Sequence, residues 1–182
     1  MKKTATQRIV LIALYTALAI ALDYFKEMLP FLNMPQGGSV NIATIPVVLA
    51  AFHLGALDGI LTGIIWWLIT TFMGLNYPPI SFMEALLDYV VPSGILGIAS
   101  LFWRGNKEIW KAEAGILLAN LIRIASILIA GAYYWFPDGE AAGSAAAWAN
   151  SLAYNLPYLL ATAVMLLIVI PLLLSRFRKQ FA

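Results

Sequence analysis

The sequence predicts an all-α integral membrane protein: a single domain over residues 1–182 with six transmembrane helices and both termini cytoplasmic. Composition is the first reason, since 62% of the 182 residues are hydrophobic and only 11% are charged, against roughly half apolar in soluble domains. Length is the second. A bilayer core about 30 Å thick takes roughly 20 apolar residues per helix, so six crossings occupy about two thirds of the chain and leave only short loops. Charge placement is the third, because Lys and Arg near membrane ends stay on the cytoplasmic side. Threading six helices from a cytoplasmic start places Lys2, Lys3, Arg8, Arg104, Lys107, Lys111, Arg176, Arg178 and Lys179 inside, nine of the eleven basic residues. Lys26, in the first outer loop, and Arg123, within a helix, are the exceptions.

The helices are expected at 8–25, 40–55, 57–74, 81–103, 112–134 and 148–174. The first follows a basic start, and its Ala13, Ala17 and Ala21 recur every four residues, a small-residue stripe that lets another helix approach closely. That stripe suits either internal packing or docking to a second membrane subunit. The stretch also has features of a signal peptide, including Ala17-Leu-Ala19, but Asp23 to Met34 continues as an amphipathic lead into the second helix, so retention is expected. Only His53 to Asp58 separates the second helix from the third, with Gly55 and Asp58 reading as a tight turn. In the fourth helix Ser81, Glu84 and Asp88 share one face by their three- and four-residue spacing. The fifth contains Arg123 and ends in Tyr133, Tyr134 and Trp135. The sixth carries Asn150, Ser151, Tyr154, Asn155 and Tyr158 near its start and is nearly all apolar from Leu159 to Leu174.

A polar group inside a membrane is costly unless it meets a partner or water, so these residues are expected to face inward. With Trp66 and Trp67 of the third helix, Tyr77 of the following loop, and Tyr89, they describe an outward-opening pocket of aromatic walls and a few placed polar groups. Carboxylates and π faces both attract cations, so a flat, positively charged or hydrogen-bond-rich heteroaromatic ligand is favoured. Competing roles stand beside this. Tyr133, Tyr134 and Trp148 also suit interfacial anchors, Glu84 simple hydration, and Asp88 a structural ion pair with Arg123. A proton relay would need carboxylates continuing to the inner side, and none are present. An integral membrane enzyme would have to use Glu84 and Asp88 as its acid/base pair. The absence of cysteine excludes thiolate sites, and neither HExxH, GxSxG nor a phosphate loop occurs. No metal, cofactor or nucleic-acid partner is expected.

Three signatures resemble the substrate-binding components of energy-coupling factor vitamin transporters, the thiamine-specific members most closely. They are Met34-Pro-Gln-Gly-Gly-Ser-Val40 followed by Ile45-Pro46, Leu87-Asp88-Tyr89, and Ser151-Leu-Ala-Tyr-Asn155. The resemblance implies a small helical protein in a bacterial or archaeal cell membrane that binds its vitamin from outside. Such a protein hydrolyses no ATP itself and joins a transmembrane coupling subunit and two cytoplasmic ATPases. It implies docking through Ala13, Ala17 and Ala21, and ligand contacts by Asp88, Trp66, Trp135, Tyr77, Tyr89 and Asn155. The pocket reading adds Glu84, Asn150, Tyr154 and Asn41. Four positions depart from the thiamine pattern: Gly37 replaces a tryptophan, Asn41 a glutamate, Ile127 a histidine and Asn150 a tyrosine. Thiamine or a close relative is therefore the expected ligand, with another vitamin as the alternative.

Overall fold

The computed structural model describes residues 3–35, 38–103, 108–136 and 138–177. Lys2, Gly37, Arg104, Lys107, Arg178 and Lys179 of the sequence reading lie outside the described residues. Among those described, six helical elements carry the fold: α1 (Ala5–Glu27), α2 (Thr44–Leu54), α3 (Ala56–Phe72), α4 (Phe82–Ser100), α5 (Ile109–Tyr134) and α6 (Ala145–Arg176). Four of them, α1, α4, α5 and α6, are long and apolar enough to cross a membrane, while α2 and α3 are shorter apolar helices.

Local chemistry fixes the ends. Thr4 and Gln7 exchange side-chain hydrogen bonds with each other's backbone N–H, a capping box that starts α1. Gly55, with φ +106°, ends α2 and starts α3 in one residue, a backbone conformation open to glycine. The sharp break holds α2 against α3, and Arg8 reaches across from α1 to grip Asp58 through two hydrogen bonds of 2.9 and 2.7 Å. Ser144 caps α6 by accepting from the N–H of Ala147.

The second helix begins at Thr44 rather than at the expected residue 40, because Asn41 folds the chain into a turn. Its Oδ1 accepts from the N–H of Ala43 at 2.9 Å, and its carbonyl accepts from the Thr44 hydroxyl at 2.6 Å. Eleven residues at 1.5 Å each give α2 about 16 Å of length, about half the thickness of a bilayer core. Non-helical backbone survives at membrane depth only if its polar groups are satisfied and it lines protein or a cavity. Here the N–H of Met34 donates to Gly38, that of Val40 to Leu32, and that of Asn41 to the Thr162 hydroxyl.

The fourth helix is not uniform. It opens as α-helix, widens into a π-helical turn over Ala85–Val90, returns to α over Val91–Gly94, and tightens to a 3-10 helix over Ile95–Ser100. Pro92 lacks the N–H that would bond the carbonyl of Asp88 in a regular helix, and its ring would crowd that carbonyl. The widened turn immediately before it relieves the crowding. It also frees the carbonyl of Leu87, which accepts from Ser126 of α5 at 2.6 Å.

The core gathers at one end of the bundle. Val47 and Val48 of α2, Leu96 and Ala99 of α4, Ile116 of α5, and Leu166, Ile170 and Leu174 of α6 are all buried there. Large apolar side chains such as Ile9, Leu14, Leu57, Phe72, Phe82, Leu160 and Leu172 remain exposed around the outside. A water-soluble chain would not leave so continuous an apolar exterior.

Candidate functional site

At the other end, where α1, α3 and α5 finish and α6 starts, the helices part around a recess of about 770 Å³, within the range of small-molecule pockets. Its mouth is aromatic. Tyr77 and Trp135 meet edge to face with ring centroids 6.4 Å apart, and both are substantially exposed. Further in, Trp67 and Tyr89 stack at 6.3 Å with an interplanar angle of 22°. Tyr154 and Tyr158 meet edge-on at 6.5 Å on the α6 wall.

Asp88 lines this cage from the π turn. On the facing wall Asn155 is held on both ends of its amide. Its Nδ2 donates to the carbonyl of Ser151 at 3.0 Å, and its Oδ1 accepts from the Tyr158 hydroxyl at 2.6 Å. Ser151 in turn donates to Leu128 of α5 at 2.8 Å, which ties the two helices together at recess depth. Gly38, with φ +79°, lets the lead-in loop pass over Tyr158, whose ring atoms lie where a Cβ would sit.

Nine of the ten ligand contacts expected from sequence line the recess: Asp88, Tyr89, Trp66, Tyr77, Trp135, Asn150, Tyr154, Asn155 and Asn41. Two of these also do structural work. Asn41 spends its carbonyl oxygen on the turn described above, and Asn150, exposed at the rim, donates to the backbone of Trp135 at 3.4 Å. Glu84 does not line the recess. It is 0% exposed and closes the first turn of α4: its Oε2 accepts from the N–H of Ile80, and its own N–H donates to Ser81. The π turn begins directly after Glu84, and Asp88, which lies within that turn, lines the recess.

Other placements differ from the sequence reading. No ion pair joins Asp88 and Arg123 among the described residues. Tyr134 lines the recess, whereas Tyr133 packs edge-on against Trp148 at 6.3 Å away from it. Ala13, Ala17 and Ala21 are exposed, so internal packing does not account for the stripe. Ala13 and Ala17 instead lie in an apolar groove between α1 and α3, flanked by Ile12, Leu61 and Ile65.

A buried polar group behind the aromatic wall escaped the sequence reading. Asp23 of α1 accepts from the Trp66 indole N–H at 2.8 Å and sits 3.2 Å from Lys26, itself 3.1 Å from Glu27. The signal was available in principle, as Asp23 and Lys26 stand one turn apart at the end of an apolar helix.

An apolar helical bundle with one aromatic, charged recess at its end defines a membrane protein that receives a small molecule. The chain belongs to the thiamine transporter protein family, whose description matches residues 9–182. It is 32% identical over 179 residues to the thiamine transporter ThiT of Bacillus subtilis, covering 91% of this chain and 89% of that protein. It is also 26% identical over 141 residues to the riboflavin transporter RibU of Lactococcus lactis subsp. cremoris, covering 72% of this chain and 64% of that one. A solved structure of ThiT from Listeria monocytogenes superposes with a TM-score of 0.74 over 96% of both chains at 20% identity, a likeness of fold. The family and these relatives are transporters, not enzymes, which sets aside an acid/base role for Glu84 and Asp88.

Proposed function

We propose that the chain is the substrate-binding subunit of an energy-coupling factor vitamin importer, a single six-helix membrane domain with cytoplasmic termini that binds thiamine or a close relative from outside. The observation that carries this reading is Asp88 standing inside an aromatic cage formed by Tyr77, Tyr89 and Trp135. Thiamine joins a permanent thiazolium cation to an aminopyrimidine ring. A desolvated carboxylate and ring faces attract the first, and the amide of Asn155 with the surrounding hydroxyls suits the second. Energy for uptake would come from a transmembrane coupling subunit and two cytoplasmic ATPases, with the α1 groove at Ala13 and Ala17 as the docking face.

Titration of the purified protein with thiamine tests the ligand, because Trp66, Trp67 and Trp135 line the recess and should report binding by fluorescence quenching. A saturable quench is expected. The RibU relationship and the departures at Asn41, Ile127 and Asn150, which all line the recess, favour a second reading in which another vitamin is bound. A quench by riboflavin with none by thiamine would decide for it. Uptake in proteoliposomes separates a subunit from a self-sufficient carrier: binding without uptake is expected until the partner subunits and ATP are supplied.

A further inference from the structure

Lys26 is the basic residue that charge placement leaves in an outer loop, and its surroundings give the reason. Its ammonium lies 3.2 Å from the carboxylate of Asp23, one turn earlier on α1, and 3.1 Å from that of Glu27. Asp23 and Lys26 are both buried. A carboxylate at the end of an apolar helix is costly, and Lys26 offsets that cost by standing beside it. Two apolar residues would hold the helix end at no electrostatic cost at all, so the pair needs a further reason to exist. Asp23 supplies one by reaching across to α3, where its Oδ2 accepts from the Trp66 indole N–H at 2.8 Å.

Trp66 lines the recess and is 6% exposed, whereas Asp23 is not among the described residues that line it. The remainder of the indole packs into the apolar core, which offers its N–H nothing. A buried N–H without an acceptor is costly. With Asp23 removed, the nearest relief is the polar interior of the recess, and the ring would turn into space that a ligand needs. Donation to a carboxylate also polarises the indole, and a more electron-rich ring face holds a cation better. The same bond pins α1 to α3 beyond one end of the apolar groove, as Arg8 and Asp58 do at the other. We propose that Asp23 is a positioning residue: it touches no ligand and acts through Trp66, holding the indole in the orientation that completes the cation-binding wall. This inference rests on the thiamine reading and deepens it.

A double-mutant cycle on the purified full chain tests it, read by thiamine titration and by the proton magnetic resonance of the Trp66 indole N–H, which Trp66→Phe identifies. Asp23→Ala should move that resonance upfield, through loss of the hydrogen bond, and lower thiamine affinity about tenfold. Asp23→Asn keeps an oxygen acceptor without the charge and should lose about threefold. In the Trp66→Phe background, Asp23→Ala should change affinity by less than about twofold, because residues that act as a unit are not additive. An unmoved indole resonance in Asp23→Ala, or the same tenfold loss in the Trp66→Phe background, overturns the positioning role and leaves the thiamine reading standing. Failure of the wild type to bind thiamine overturns both. If Asp23→Ala does not fold, the cycle with Asp23→Asn decides, since its threefold loss should vanish in Trp66→Phe and persists there if Asp23 serves only the packing of α1.

Discussion

Gly131 is the point at which helix packing and the recess meet. It lies in α5 where α6 passes closest, and a Cβ added there would stand 2.3 Å from Ser151 Oγ and 2.8 Å from Asn155 Nδ2. Non-bonded heavy atoms settle near 3.5 Å, so Gly131→Ala requires the side chains of Ser151 and Asn155 on α6 to give way by about 1 Å. Overpacking of this kind costs about 1–3 kcal/mol. The Ser151 bond to Leu128, 2.8 Å long, is lost in the same movement and adds about 1 kcal/mol. Asn155 is bonded to Ser151, and Tyr158 to Asn155, so the recess wall moves with them. Thermal unfolding in detergent should shift downward, and thiamine affinity should fall at least about tenfold, corresponding to 1.4 kcal/mol. Gly94→Ala is the control, since its nearest neighbours are flexible atoms of Ile64 at 3.3 Å and beyond. The double variant Gly131→Ala/Ser151→Gly removes the closest clash and should recover part of both losses. A Gly131→Ala protein with wild-type melting and wild-type affinity would show that α5 and α6 do not set the recess as argued.

Three further outcomes follow from named contacts. Asp88→Asn removes the carboxylate within the aromatic cage and should weaken a cationic ligand by about 1.5–3 kcal/mol, while a neutral analogue loses little; equal losses for the two in competition titrations would contradict the charge argument. Gly55→Ala places a side chain on a backbone at φ +106°, a strain of about 1–3 kcal/mol, so melting should fall while thiamine affinity holds, because Gly55 sits at the end of the bundle away from the recess. Ala17→Leu fills the α1 groove and should abolish ATP-driven uptake in the reconstituted complex without changing binding to the isolated chain; undiminished uptake would remove that groove as the docking face.

Much of the recess was legible in the residues alone, for a reason rooted in the solvent. A bilayer makes every polar side chain conspicuous, so Asp88, Asn155 and the aromatic residues around them could be gathered by helical spacing and by cost. Spacing alone did not separate the two acids. Glu84 and Asp88 are four residues apart, yet the first spends its carboxylate on the backbone of Ile80 while the second lines the recess. Asn41 illustrates a second limit, because competition between a side-chain turn and the helix start is decided by local hydrogen bonds that hydropathy does not register. Partnerships across the bundle, such as Asp23 with Trp66 and Arg8 with Asp58, depend on which helices adjoin. Apolar periodicity identifies each helix but leaves that arrangement open.

The π turn of α4 carries a consequence for how this recess can vary. Such a turn is what remains when one residue is added to an ordinary helix without disturbing either flank, and here the flanks are anchored by Ser81 at one side and by the packed segment after Pro92 at the other. Removing one residue between Ala85 and Leu87 would therefore turn the acid about the helix axis while both flanks stay anchored. Chemical character in this recess is set by counting as much as by composition: a chain of the same letters, one shorter, would build the same bundle around a different interior.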